Sequence, residues 1–295
     1  MSFPFHILNV FAEGPYGGNQ LAVFQLPEDM PAETLLRITR ETNIAEAAFL
    51  IGEPDRKGKL RLRVFTHEAE LPSAGHAALG AAFVAENRWP QYADKLELSM
   101  PKATCLIRRG DDGLQWLEQP SPIFADTLPI EALSPVLRLN PTVFHPDLPI
   151  QIVSTGLPFI MVPLRHLDAV KQATLHGISY YSLIRETQAK AIMLFAPQVY
   201  KRENDYNVRV FGDFFGVPED AASGSANGCL GSYLLYHKVV GDPVQIRVEQ
   251  GYEMKRPSLI QVEAWHDGAQ SRVKVGGQVR VLVEGEWKHA GVERA

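Results

Sequence analysis

The stretch "RVFTHEAELPSAGHAALGAAFV", residues 63–84, decides the fold because the chain contains a counterpart to it. An alternating run ends at Phe65, a glutamate follows at Glu70, and Gly75 opens a segment of alanine, leucine and small residues. Further along, "RVFGDFFGVPEDAASGSANGCLGSYLL" (209–235) repeats the order: Arg209-Val210-Phe211, then Glu219, then Gly224. Each glycine stands five residues after its glutamate, and an alanine, Ala77 or Ala226, stands two residues after each glycine. The glycines are 224 − 75 = 149 residues apart in a chain of 295, close to half its length. Four features recurring in one order imply an internal duplication and two halves of similar construction.

The texture on either side agrees. "KLRLRVF" (59–65), "KLELSM" (95–100), "YNVRVF" (206–211), "VQIRVEQ" (244–250), "SLIQVEAW" (258–265) and "QVRVLVEG" (278–285) alternate with the period of half-buried strands. Gly276-Gly277, between "RVKV" and "QVRVLV", reads as a hairpin turn. Helical patterning is confined to "AETLLRITRE" (32–41) and to the segments after Gly75 and Gly224, whose apolar composition suits helices buried among strands. Seven prolines crowd Gln119–Pro149, as at a crossover between domains. Mostly antiparallel strands, few helices and two halves indicate an α+β fold.

Composition narrows the function. With 45% hydrophobic and 21% charged residues the chain reads as a globular protein. A formal net charge of −5 gives no footprint for nucleic acid or an anionic membrane. No apolar run reaches the roughly 18–20 residues that span a bilayer. "MSFPFHILNVF" lacks a basic leader and reads as a first strand, not a signal peptide. Two cysteines, Cys105 and Cys229, are too few for a disulfide framework or a thiolate metal site, which suits a cytoplasmic location. The nine histidines show no metal-ligand spacing, so no metal is expected.

The chemistry is expected at the two turns. The first N–H groups of a helix lack partners within it, and its N-terminus carries roughly half a positive elementary charge. Gly75 and Gly224 let a ligand approach the backbone, so each turn suits a carboxylate or an enolate oxygen. With the two helix starts facing each other, one small anionic substrate would lie between the halves; the plainer alternative is two well-capped core helices. His76 sits at the first start, where the positive helix end favours neutral imidazole. Asp220 and Ser225 flank the second. In "TNIAEAAFLI" (42–51), Glu46 enters an apolar strand, where partial desolvation would raise its pKa and tune it as a proton carrier; a solvated strand-edge glutamate is the alternative.

The segments "VFAEGPYGGNQLAVF" (10–24), "NIAEAAFL" (43–50), "FTHEAELPSAGHAALGAA" (65–82), "STGLPFIMVPL" (154–164), "RVFGDFFGVPEDAASGSANG" (209–228) and "EQGYEMKRPS" (249–258) resemble the PhzF-like phenazine-biosynthesis family. The resemblance implies a diaminopimelate-epimerase-like fold of two pseudo-symmetric domains, each a barrel-like antiparallel sheet around a central helix. On this chain it implies an N-terminal domain over 1–118, joined by the last strand at about 286–295, and a C-terminal domain over 119–285. It further implies a homodimer and a cofactor-free isomerase similar to the trans-2,3-dihydro-3-hydroxyanthranilate isomerase of phenazine biosynthesis. Glu46 matches that family's proton carrier, and His76, Asp220 and Ser225 match its other site residues. Asn19, Gly75, Ser223 and Gly224 match positions that hold substrate. Racemases and epimerases of this fold use two cysteines, whose places are taken here by Ala74 and Ser223, so two-thiol epimerisation is not expected. His67 stands where the family commonly has proline, and "EDAASGSA" replaces the usual "EDPATGSA". An epimerase of the same fold and a non-catalytic binding protein are the alternative readings.

Overall fold

The computed structural model describes residues 2–71, 74–93, 96–101 and 104–289. The chain forms two compact units, one built from residues up to Leu117 together with the segment from Gly277, the other from Glu118–Gly276. The first unit contains β1 (Ser2–Val10), β2 (Asn19–Leu26), α1 (Ala32–Thr42), β3 (Glu46–Ile51), β4 (Lys59–Thr66), β5 (Glu70–Leu71), α2 (Gly75–Arg88), β6 (Glu97–Ser99), β7 (Thr104–Arg109) and β8 (Gln115–Glu118). The second contains β9 (Ile123–Leu128), α3 (Ile130–Leu137), β10 (Ile150–Ser154), β11 (Pro158–Pro163), α4 (Leu167–Gln172) and α5 (Gly177–Glu186). It continues with β12 (Ala191–Ala196), β13 (Tyr206–Gly212), β14 (Val217–Asp220), α6 (Gly224–Tyr236), β15 (Val244–Gln250), β16 (Ser258–Asp267) and β17 (Gln270–Gly277). A last strand, β18 (Val279–Lys288), pairs with β1 of the first unit.

The strand pairings show that the duplication extends through the whole fold. In the first unit β1 pairs antiparallel with β2, β2 parallel with β3, β3 antiparallel with β4, β4 parallel with β6, and β6 antiparallel with β7. In the second unit β10, β11, β12, β13, β15 and β16 repeat that series with the same senses. The outer strands match as well: β18 lies antiparallel to β1 as β9 lies antiparallel to β10. Each sheet is therefore mixed where the sequence suggested antiparallel pairing, because two strand pairs in each unit are joined by crossovers that contain a helix, and such a connection makes its strands parallel.

One of those crossover helices fills each unit. Helix α2 packs against β1, β2, β3, β4, β7 and β18, and α6 against β10, β11, β15 and β16. Both are buried on nearly every side, which explains why neither shows an amphipathic stripe. Close packing demands small residues in them: a Cβ on Gly80 would fall 2.5 Å from Leu21 Cδ2, and one on Gly231 would fall 2.5 Å from Val262 Cγ1. Among the described residues no helix is long and apolar enough to cross a membrane.

Two expectations are corrected. Gly276-Gly277 is not a hairpin turn, because β18 leaves β17 and runs along β1, from Val10↔Val279 to Ser2↔Lys288. A Cβ on Gly277 would fall 2.4 Å from Phe11 Cδ1, so the glycine serves close approach and not chain reversal. The return to the first unit accordingly starts at Gly277 and not near 286, since all of β18 belongs to that sheet. Residues 290–295 of the expected strand lie outside the described residues.

Candidate functional site

Glu46 and His76 come together in the first unit. Glu46 opens β3 and pairs with Thr66 at the end of β4; His76 is the second residue of α2, the helix reached through β5. His76 Nε2 lies 3.4 Å from Glu46 Oε2, with the side chains 10% and 17% exposed respectively. The Oε2 atom is buried and accepts no hydrogen bond from a described residue. Burial removes water that would stabilise the anion, and it pushes the Glu46 carboxyl up to about 7. Near neutrality such a group both takes and returns a proton readily.

The approach to Glu46 is held from several directions. Helix α1 ends at Asn43 in the left-handed region, and the chain turns through Ile44, whose side chain is buried in the core with Phe24, Phe49 and Phe65. The Ile44 N–H donates to Thr42 Oγ1 at 3.1 Å, and the Ile44 carbonyl accepts from His67 Nε2 at 2.9 Å. Asn19 opens β2 opposite Val10. Because β2 and β3 run parallel with Ala22 beside Ala47, Asn19 and Glu46 lie at the same end of that pair. Gly18 precedes Asn19 with φ of 79°, and a Cβ there would fall 2.5 Å from the Val10 carbonyl oxygen.

In the second unit, Asp220, Ser223, Gly224 and Ser225 form the turn from β14 into α6. Counting its N–H groups shows which are engaged. The Ala222 N–H donates to Asp220 Oδ1 at 3.2 Å, that of Ser223 to Gln250 Oε1 at 3.2 Å, and that of Ala226 to Ser223 Oγ at 3.4 Å. The Asn227 N–H donates to the Ser223 carbonyl at 3.1 Å. Among the described residues, the N–H groups of Gly224 and Ser225 have no such bond, which leaves an adjacent pair at the positive end of a helix. Such a pair suits a carboxylate oxygen or an oxyanion.

Residues that the sequence did not single out hold this turn. The side chain of Gln250, fully buried, accepts from Ser223 N–H and from Asn227 Nδ2 at 2.9 Å, and donates to the Asp220 carbonyl at 2.7 Å. Gln119 Nε2 donates to the Gly224 carbonyl at 2.8 Å, and Thr155 Oγ1 donates to Gln119 Oε1 at 2.5 Å. Gly228 makes room for that amide, since a Cβ there would fall 2.0 Å from Gln119 Oε1. The only signal for them was indirect: Gln250 stands in "EQGYEMKRPS" and Thr155 in "STGLPFIMVPL".

The repeated glutamates have a different task. Glu70 takes Arg63 in a two-pronged pair, Nε–Oε1 at 2.7 Å and Nη2–Oε2 at 2.6 Å. Glu219 takes Arg209 in the same way, both bonds at 2.8 Å. Each guanidinium also lies over the phenylalanine two residues on, 5.1 Å from the Phe65 ring centre and 4.8 Å from that of Phe211. They tie the strand before each helix start to the short strand that leads into it.

The matched registers also expose an asymmetry. Arg63 pairs with Phe49 as Arg209 pairs with Leu194, and stepping back along β3 and β12 puts Ala191 where the first unit has Glu46. Ser225 takes the place of His76. The matching positions of the second unit thus hold no counterpart of the Glu46–His76 pair. Ala74 and Ser223 are the N-cap residues of α2 and α6. Cys229 is wholly buried, and burial pushes its thiol up to about 12; burial pushes Cys105 up to about 11. Neither thiol is poised as a thiolate.

The family model described as phenazine biosynthesis-like protein matches residues 8–285. A trans-2,3-dihydro-3-hydroxyanthranilate isomerase from Pseudomonas aeruginosa is 31% identical over 283 residues, covering 95% of this chain and 97% of that protein. A phenazine biosynthesis protein of the PhzF family from Bacillus anthracis has the same fold, with a TM-score of 0.86 at 21% identity over 98% of this chain and all (100%) of that one. A structure described as a predicted epimerase from Pseudomonas aeruginosa matches with a TM-score of 0.81 at 27% identity, over 98% and 100% of the two chains.

Proposed function

Because the chain belongs to the phenazine biosynthesis-like family, we propose that it is a cofactor-independent isomerase that moves a proton within a small carboxylate-bearing substrate. Relatives that match over nearly their whole length carry isomerase names, which supports an isomerase. One observation carries the mechanism: a buried carboxyl, pushed up to about 7, with an imidazole nitrogen 3.4 Å away. Glu46 as the anion removes a proton from carbon; the carboxylic acid so formed returns it to another carbon of the same molecule. His76 orients the carboxyl and stabilises its charged form by a hydrogen bond from Nε2–H when substrate excludes water. N–H groups at helix starts, with Gly75 in the first unit and Gly224 in the second, suit the substrate's carboxylate or the charge that develops on it. Asn19, Asp220, Ser223 and Ser225 are assigned to binding and orienting substrate by their match to the family's positions.

Positioned proton transfer contributes about 10²–10⁴-fold to such reactions. The substrate proposed for first trial is trans-2,3-dihydro-3-hydroxyanthranilate, the compound in the relative's name. Incubation in deuterated water tests the reading: an isomerase that exchanges its carried proton with solvent leaves deuterium on carbon in the product. E46Q is expected to lose turnover by at least about 10²-fold. Full turnover by E46Q would remove Glu46 from the mechanism. Ala74 opposes the epimerase alternative, since a methyl group has no proton to give at the place where those enzymes use a thiol.

A further inference from the structure

We infer that His67 is a positioning residue for Glu46, acting through the carbonyl of Ile44. The inference rests on the assignment of Glu46 as the proton carrier and concerns what sets that carboxyl in place. A carbonyl oxygen only accepts, so the 2.9 Å contact fixes His67 as the donor through Nε2–H. The bond joins two segments 23 residues apart: the corner after β4 and the turn between α1 and β3. Ile44 is then held at three points, by its side chain in the core, its N–H on Thr42 Oγ1 and its carbonyl on His67. With that carbonyl fixed, the plane of the peptide linking Ile44 to Ala45 is fixed too, one residue short of Glu46.

His67 is itself anchored. Arg40, in the last turn of α1, donates from Nε to the His67 carbonyl at 2.6 Å. Thr66, immediately before it, is the register partner of Glu46. The imidazole therefore bridges the two sides of the strand pair that carries the carboxyl. A residue without a side-chain donor at this position could not make this bond. Loss of the donor frees the Ile44 carbonyl to bind water and loosens the entry to β3, so water reaches the carboxyl.

The test reads Glu46 directly, by carbon-13 NMR titration of protein labelled at glutamate side-chain carboxyls, with E46Q identifying its signal. H67F keeps a ring without a donor, H67A removes the side chain, and H67Q restores an N–H donor. The expected result is a titration midpoint lowered by roughly one pH unit in H67F and H67A and returned towards the wild-type value in H67Q. With trans-2,3-dihydro-3-hydroxyanthranilate as substrate, H67F and H67A are expected to lose about tenfold in kcat with KM little changed, and H67Q to recover most of it. A wild-type Glu46 midpoint in both H67F and H67A would overturn the inference. So would a loss of Tm shared by all three variants with no rescue by glutamine, which would make the bond a stabilising contact only. H67A substitutes a partly exposed side chain and keeps the test open if H67F does not fold. The result is separable from the mechanism: full turnover by E46Q refutes the proton carrier whatever His67 does to the titration.

Discussion

At the scale of the residue, Glu46 ties function to stability. An ordinary glutamate titrates near 4.5, whereas burial holds this one at about 7 in the folded protein. Between those values the folded state keeps a proton that the unfolded chain has released, so the contribution of Glu46 to stability falls as pH rises to about 7 and then falls no further. E46Q cannot ionise and escapes that loss. Relative to wild type it is expected to gain stability as pH rises from 4.5 to 7, by about 3 kcal/mol in all, and then to hold a constant difference. Chemical denaturation at a series of pH values measures it; a constant difference across the range would mean that the carboxyl is not buried. Activity runs the other way, since proton removal needs the anion: kcat/KM is expected to rise about tenfold per pH unit below 7 and to level off above it. The desolvation of Glu46 was legible because the residue immediately precedes "AAFLI". The hold of Gln250 on the second turn was not, because a hydrogen bond to Asp220, 30 residues away, leaves no local pattern.

At the scale of the element, the two central helices differ at their caps. Ser223 caps α6 by accepting from the Ala226 N–H, while Ala74 at the start of α2 has no side chain that can accept. S223A is expected to cost about 0.5–1 kcal/mol, the low end of N-cap values, since the bond is 3.4 Å long. A74S is expected to add a similar amount by reproducing that bond to Ala77. Thermal denaturation checks both, and a loss of stability in A74S would mean that the first helix start cannot hold a serine rotamer. The strand-to-helix buckles carry larger stakes. Arg209 is paired with Glu219 and also donates to the carbonyls of Val170 and Ala173 at the end of α4, at 3.0 and 2.8 Å. R209M strands a largely buried carboxylate, 18% exposed, and is expected to cost about 3–5 kcal/mol; R209M with E219Q should recover part of it. The repeat "RVF…E…G" announced these elements, and what it announced was a matched clamp. The carbonyls of α4 lie more than 35 residues from Arg209, at |i−j| of 39 and 36, outside any short motif.

At the scale of the whole molecule, the duplication was legible because copies of one strand order retain the same words at the same spacing. The path of the chain at its end was not. Alternation marks "QVRVLVEG" as a strand without naming its neighbour, and a glycine pair between two strands has the same composition whether it turns the chain or carries it elsewhere. The difference makes one unit continuous in sequence and the other discontinuous. Residues 118–276 hold β9–β16, all of β17 but its last residue, and their own core, which includes Leu133, Phe144, Ile160, Tyr180 and Ile192. Residues 1–117 lack β18, which pairs along the full length of β1 and brings Trp287 against Phe5 and Phe24, at ring-centre distances of 5.5 and 5.4 Å. Without it β1 becomes an open edge with apolar rings uncovered, a template for aggregation. Expressed separately, 118–276 is therefore expected to unfold cooperatively on heating, and 1–117 to aggregate or show no transition. Joining residues 277–289 to the start of the short fragment through a flexible Gly/Ser linker restores the strand in antiparallel register with β1. Recovery of a cooperative transition in that permuted fragment would assign the defect to the missing strand; its failure would show that the first unit needs more than its own sheet to fold.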